Sequence, residues 1–226
     1  MITKEVYKNI SWLVFDKIIT LLIGLIVIVK VANHYGPTDY GLYQYAVSIN
    51  FILAIIVLFV DGRVVKKLYP EISDGHVIYN TTVAKLLLSF ISLVIGIAIL
   101  SVIDQGTKFN TIYVLLLITN LFVNLGFGIQ SFFEYHLKSK NVVIAANIAN
   151  IIGCILQLII LYLNYSIVSI VAILLVASVI KLLILYLQFK MMFVVHIDAK
   201  LDKLLILNII RESMPLAIAA TAAAVY

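Results

Sequence analysis

The chain alternates long apolar stretches with short polar segments. A helix needs about 20 mostly apolar residues to cross a hydrocarbon core of about 30 Å. Lipid offers no hydrogen-bond partner for an open N–H or C=O, so the backbone of such a stretch must be helical. The pattern predicts an all-α integral membrane protein with six transmembrane helices, over residues 10–32, 40–60, 81–103, 112–133, 142–163 and 167–189.

The break between the first two stretches centres on Gly36 and Pro37. Glycine adopts a left-handed conformation without steric cost, and proline cannot continue a preceding helix. The first helix should therefore stop here, with Thr38 or Asp39 as the N-cap of the second. Because the turn is short, we expect the two helices to lie antiparallel and adjacent.

Composition supports a membrane location and excludes several other classes. The chain is 64% hydrophobic and 12% charged, against roughly 45–50% apolar and 25% charged in soluble domains. Its one cysteine, Cys154, lies in an apolar run, so neither a disulfide framework nor a cysteine-based metal site is expected. The net charge of +5 comes from residues spread between the spans, without the aromatic-interleaved patch typical of nucleic-acid binding. The four histidines fall in predicted turns and share no ligand spacing.

The connecting segments alternate in positive charge, which predicts the orientation. One side carries only Lys30 and Lys108, and three further lysines fall inside spans. An excess of lysine and arginine marks the cytoplasmic face, so the N-terminus is predicted to lie inside. The basic side carries Lys4, Lys8, Arg63, Lys66, Lys67, Lys138, Lys140, Lys190, Lys200, Lys203 and Arg211.

Nearly every predicted span has one face of small or polar residues at helical spacing. Two interpretations remain open: such faces pack helices together through close approach and hydrogen bonds, or they line a hydrated cavity. The faces are Asp16, Thr20 and Gly24; Tyr40, Gln44 and Ser48; Lys85, Ser89, Ser92 and Gly96; Asn120, Asn124 and Gly128; and Asn147, Asn150, Cys154 and Gln157.

The lysines inside the spans also have two interpretations. Lys17, Lys85 and Lys181 lie at similar depth near the predicted cytoplasmic ends of their helices. Each side chain either extends to the interface or contributes to a shared cationic pocket, where ammonium groups would bind phosphate oxygens. Asp16, an acid well inside a span, either neutralises a nearby lysine or acts as a protonatable coupling group.

The turn between the first two spans resembles that of a known family. The run Tyr35-Gly36-Pro37, followed by Tyr40-Gly41 and then Tyr43, Tyr45, Ala46 and Ser48, is similar to the turn of bacterial polysaccharide exporters of the Wzx or O-antigen flippase type. These belong to the superfamily of multidrug, oligosaccharidyl-lipid and polysaccharide exporters. The resemblance implies the MATE-like exporter fold, in which two six-helix lobes enclose a cavity that opens alternately to each side.

The resemblance also implies how this chain is divided. Residues 1–210 would form the N-terminal six-helix lobe. Residues 211–226 are too short to cross a bilayer and would be the start of a seventh helix that opens a truncated second lobe. A missing C-terminal lobe or a second copy of the chain would then be a partner.

The implied function is transport of undecaprenyl-pyrophosphate-linked oligosaccharide across the bacterial plasma membrane for surface polysaccharide biosynthesis. The expected partners are this substrate and membrane lipid, with no cofactor, no nucleic acid and no catalytic residues. We expect Asp16 to serve coupling. The expected substrate-binding residues are Lys17, Arg63, Lys85, Lys181, Asn120, Asn124, Asn147 and Gln157.

Three alternatives remain at this stage. The first keeps the transporter class but changes the cargo, to lipid II or a drug. The second is a membrane enzyme such as a polymerase or ligase, against which the small outer turns argue. The third is a non-transporting truncated lobe that acts at most as an assembly partner in the membrane.

Overall fold

The computed structural model is helical throughout its regular structure. It describes residues 4–103, 105–196 and 199–225, and only the backbone of residues 4–10, 13, 16 and 223–225. The helices are α1 (Lys4–Val57), α2 (Gly62–Lys66), α3 (Asp74–Leu100), α4 (Thr107–Leu125), α5 (Phe127–Tyr135), α6 (Ser139–Tyr162), α7 (Ile167–Met192) and α8 (Lys203–Val225).

Six helical stretches in the described part of the chain are long and apolar enough to cross a membrane. The first of them is the 50-residue stretch Lys17–Lys66, which includes the break at Gly36. α4 and α5 together form another, with a small irregularity at Gly126. The prediction of an all-α, multi-pass membrane protein is confirmed.

The turn in α1 is tighter than predicted. Gly36 alone leaves helical geometry, with φ 69° and ψ −179°, and Pro37 already lies in the second helix. Within the described part of the chain no side chain caps the second helix at this turn, and Asp39 instead pairs with Lys108 at the start of α4. We call residues 4–35 the first arm of α1 and residues 37–57 its second arm.

Replacing Gly36 with alanine should destabilise the protein by about 1–3 kcal/mol, because this backbone region is essentially restricted to glycine. An added Cβ would meet no atom within 4 Å, so the whole cost is backbone strain. Gly41→Ala is the matched control: its Cβ also meets nothing, and the backbone there is helical. Thermal unfolding in detergent should show a lower Tm for Gly36→Ala alone, and equal values for both variants would contradict this.

Contacts between helices define the two ends of the bundle. At one end Lys66 pairs with Glu134 and Asn80 bonds to Lys200; we call this the basic end. At the opposite end the Tyr35 hydroxyl donates to the backbone oxygen of Tyr165, near the Asp39–Lys108 pair. All the described segments predicted to share the cytoplasmic side meet at the basic end.

The arms of α1 run antiparallel and pack against different neighbours. Lys140, at the start of α6, lies over the ring of Trp12, and Val31 packs against Leu161 at the other end of α6, so the first arm follows that helix. The second arm packs into a cluster with α3, α4 and α7 that includes Ala46 and Leu53. The arms are adjacent near Gly36.

Two helix starts differ from the predictions. α3 begins at Asp74, earlier than residue 81, so His76 lies in a helix and close to Asp202 instead of in a turn. α8 begins at Lys203 and continues through Pro215, so the predicted division between residues 210 and 211 falls inside this helix. Local polarity marked both starts as loops, but in the structure contacts at the basic end, such as that between Asn80 and Lys200, hold these polar residues next to each other.

Candidate functional site

A cavity of about 240 Å³ that is partly open to the surface lies in the half of the bundle nearer Gly36, and Thr20 and Ile28 in its wall are exposed. Four membrane-crossing segments contribute to it. Its walls are Thr20, Ile23, Gly24, Val27, Ile28 and Val31 from the first arm of α1; Tyr40 and Tyr43 from the second arm; Asn150, Gly153, Cys154 and Gln157 from α6; and Ile170, Leu174 and Ala177 from α7.

Polar faces that were predicted on two separate helices together line this cavity. Thr20 and Gly24 come from the predicted face of the first span, and Asn150, Cys154 and Gln157 from that of the fifth. These sets meet because the first arm of α1 follows α6 along its length. For these two helices the faces do line a cavity.

Gln157 is the most buried polar side chain in this wall. Its exposed fraction is 5%, and it lines the cavity without a hydrogen bond to any described residue. Because its amide faces the cavity, its two donors and its carbonyl oxygen remain free to bond water or a bound ligand. A polar molecule in the cavity would satisfy these groups.

The tyrosines add an aromatic edge to the site. The rings of Tyr40 and Tyr43 lie 6.1 Å apart between centroids, at an angle of 44°. Gln44 donates a side-chain hydrogen bond to the Tyr40 hydroxyl, which fixes that ring. Tyr40 belongs to the polar face predicted for the second span, and the structure places both rings in the cavity wall.

The polar face of α4 has a different role. Asn120 donates from Nδ2 to Oδ1 of Asn50 at 2.9 Å, which links α4 to the second arm of α1. Asn124 donates to the backbone oxygen of Asn120 at 2.7 Å. The sequence pattern does not indicate Asn50, because no polar residue lies three or four positions from it on its own helix.

The polar face of α3 is a packing face. Lys85, Ser89, Ser92 and Gly96 are all buried. Ser92 donates to the backbone oxygen of Leu53, and Lys85 donates from Nζ to the backbone oxygen of Val57 at 2.7 Å. The ammonium of Lys85 also lies 4.2 Å from the centroid of the Phe127 ring. Its charge therefore stabilises the end of the second arm and does not face a cavity.

The other predicted site residues are dispersed. Lys17 is exposed on the first arm, and Arg63 forms a bidentate ion pair with Asp61 at the basic end. Lys181 lines a separate small cavity between α4, α5 and α7, and Asn147 is buried and donates to the backbone oxygen of Val143. Neither Lys17 nor Lys85 lines the cavity that holds Lys181. The Asp16 side chain lies outside the described residues.

Replacing Lys85 with methionine tests the packing role. Methionine keeps the apolar stem but removes the 2.7 Å hydrogen bond to the Val57 carbonyl, which keeps only the longer 3.4 Å contact from the Val60 N–H, so we expect a loss of about 1 kcal/mol of stability. Lys17→Met is the matched control, because that side chain is exposed. Thermal unfolding in detergent should separate the two variants, and an unchanged Tm for Lys85→Met would show that the hydrogen bond contributes nothing.

Comparison with known proteins gives one match. Residues 6–226 match a family model described as polysaccharide biosynthesis protein. No curated protein and no solved structure matches the chain.

Proposed function

The chain belongs to the polysaccharide biosynthesis protein family, and from that premise we propose that it is a flippase for lipid-linked oligosaccharide. In this proposal it moves undecaprenyl-pyrophosphate-linked repeat units across the bacterial plasma membrane, with its basic end in the cytoplasm. The orientation rests on the lysine and arginine residues gathered at that end. The protein acts as a transporter and catalyses no covalent step.

One observation carries the proposal: a cavity within the membrane-crossing bundle that has polar groups in an apolar wall. The Gln157 amide faces this cavity and has no hydrogen-bond partner among the described residues, so it is free to bind a ligand that enters. Amides next to tyrosine rings suit a ligand that has both hydroxyl groups and apolar C–H faces. A glycan has this chemistry.

The first experiment measures flipping directly. The purified protein is reconstituted into liposomes with a fluorescent polyprenyl-pyrophosphate oligosaccharide, and an impermeant reductant irreversibly quenches every fluorophore that reaches the outer leaflet. Flipping should raise the quenched fraction from the outer-leaflet share toward the whole pool. If protein-containing and empty liposomes give the same quenched fraction, the proposal fails.

A steric variant tests whether the cavity is used. Gly24 lines it, and an added Cβ would meet no atom within 4 Å, so Gly24→Leu should fill the cavity without disturbing the fold. Gly41→Leu is the matched control, since Gly41 also has open space around it but lies outside the cavity wall. We expect the flipping rate to fall by about tenfold or more for Gly24→Leu only, as expected when a bound group is excluded by an inserted side chain. Equal rates in both variants would remove the cavity from the pathway.

A further inference from the structure

The chemistry of the cavity wall indicates which part of a glycan fits there. Resting on the proposed function, we propose that the cavity near Gly36 is a subsite for one uncharged sugar ring, and that it selects against acidic sugars. The cavity therefore discriminates between repeat units by the charge of their sugars. The pyrophosphate binds outside it.

The size of the cavity favours a single ring. Pockets for drug-sized ligands are about 300–1,000 Å³, and this cavity, at about 240 Å³, is below that range. Gly24 keeps one side open, since no atom lies within 4 Å of a Cβ built there, while at Gly153 the Cβ position is 3.2 Å from Ala177 and α6 closely approaches α7. This approach forms the inner wall, so the cavity holds one ring and any further sugars would extend through its open side.

The polar groups match sugar hydroxyls. The Gln157 amide is buried, lines the cavity and has no hydrogen-bond partner among the described residues. Asn150, two helical turns earlier on α6, adds a second amide to the same wall. Each amide offers two donors and one carbonyl acceptor, which suits neighbouring hydroxyls that both donate and accept. The Tyr40 and Tyr43 rings provide an apolar surface for the C–H face of the ring.

The charge of the wall sets the selectivity. Among the described residues, the cavity lining contains no lysine, arginine, histidine, aspartate or glutamate. A carboxylate moved from water into such a wall loses its hydration and gains no counter-charge, which is strongly unfavourable. A neutral sugar loses only hydroxyl hydration, and the amides replace it.

Cys154 provides a direct measurement of occupancy. It is the chain's only cysteine and lines the cavity, so its labelling rate by a small maleimide reports access without any engineered thiol. The probes are methyl glucoside, methyl galactoside and methyl mannoside, each compared with its uronic acid counterpart of nearly the same size. We expect neutral glycosides to slow labelling and the uronic acid forms to leave it unchanged.

Two substitutions test the assigned groups. Gln157→Leu should weaken protection by neutral glycosides by about fivefold to tenfold, as expected for losing one or two hydrogen bonds. Gln188→Leu makes the same change on α7, outside this cavity, and should leave protection unchanged. Gln157→Lys places a cation in the wall and should reverse the preference toward the uronic acid forms.

The labelling experiment can fail while the flipping assay succeeds, so the two experiments test the two proposals separately. If lipid-linked oligosaccharide is flipped but no neutral glycoside protects Cys154, the sugar subsite is wrong and the proposed function stands. Equal protection by neutral and acidic forms overturns the selectivity. Protection by cyclohexanol to the same extent as by the neutral glycosides would show an apolar cavity without sugar recognition and would overturn the proposal.

Discussion

Replacing Gly128 with alanine should destabilise the protein by about 3 kcal/mol, at the upper end of the usual cost of overpacking a core. Gly128 lies on α5 where that helix crosses α3. A Cβ there would be 2.5 Å from the backbone oxygen of Ile78 and also in contact with the Thr82 hydroxyl. Backbone cannot move aside as a side-chain end can, so α3 and α5 would have to separate.

Gly96→Ala is the control that isolates this reason. Its Cβ would also be too close to neighbours, at 2.7 Å from Leu117 and 3.0 Å from Leu53, but both contacts are with the ends of flexible leucine side chains. These can rotate, so we expect a cost of only about 1 kcal/mol. In thermal unfolding in detergent, the Tm should be highest for the wild type, lower for Gly96→Ala and lowest for Gly128→Ala.

A second substitution separates the effect of the Thr82 hydroxyl from that of the Ile78 carbonyl. Thr82→Ala removes the hydroxyl that Gly128→Ala would meet but leaves the Ile78 carbonyl in place. The double variant should therefore recover only part of the lost stability. Complete recovery of stability would show that the Thr82 hydroxyl, and not the Ile78 carbonyl, causes the overpacking at this crossing.

Replacing Asn80 with leucine should release the segment that leads into α8, with a local loss of about 3 kcal/mol for the buried groups left without partners. Asn80 is fully buried on α3. Its Nδ2 donates to the backbone oxygens of His76 and Lys200 at 3.0 Å, and its Oδ1 accepts from the backbone N–H of Asp202 at 2.8 Å. One side chain thus fixes the segment that leads into α8.

Asp202 fixes the position at which α8 begins. Its Oδ1 accepts from the backbone N–H of Leu205 at 3.0 Å, which caps the helix. This hydrogen bond, together with the nearby imidazole of His76, lowers the pKa of the Asp202 carboxyl. Asp202 is therefore held in place both by its own capping hydrogen bond and by its contact with Asn80.

Limited proteolysis measures the release of α8. Asn80→Leu should be cleaved faster between α7 and α8 than the wild type, while the rest of the bundle resists. Asn208→Leu is the matched control, because Asn208 is exposed on α8 and its loss should not change cleavage. If both variants are cleaved like the wild type, Asn80 does not hold this segment.

The relation between sequence and structure is clearest at the lysines. Lys85 and Lys181 have the same residue type and similar depth, and the sequence offered the same two interpretations for both. In the structure Lys85 is buried against Val57 and Phe127, whereas Lys181 lines a different, smaller cavity. A residue's depth follows from its position along its own helix, but its neighbours depend on the rotation of several helices.

The sequence by itself determined the membrane class, the first crossing segments and the break at Gly36, but it began the last helix too late and predicted it as too short to cross, whereas Lys203–Ala222 is long and apolar enough. Each of the correct predictions depends on local properties: hydrophobic length or the backbone freedom of one residue. Only the tertiary structure decided that the polar face of α3 is packed, while those of the first arm of α1 and of α6 border a cavity. Such faces look alike in sequence, and what distinguishes them is whether a neighbouring helix approaches closely enough to fill the space between them.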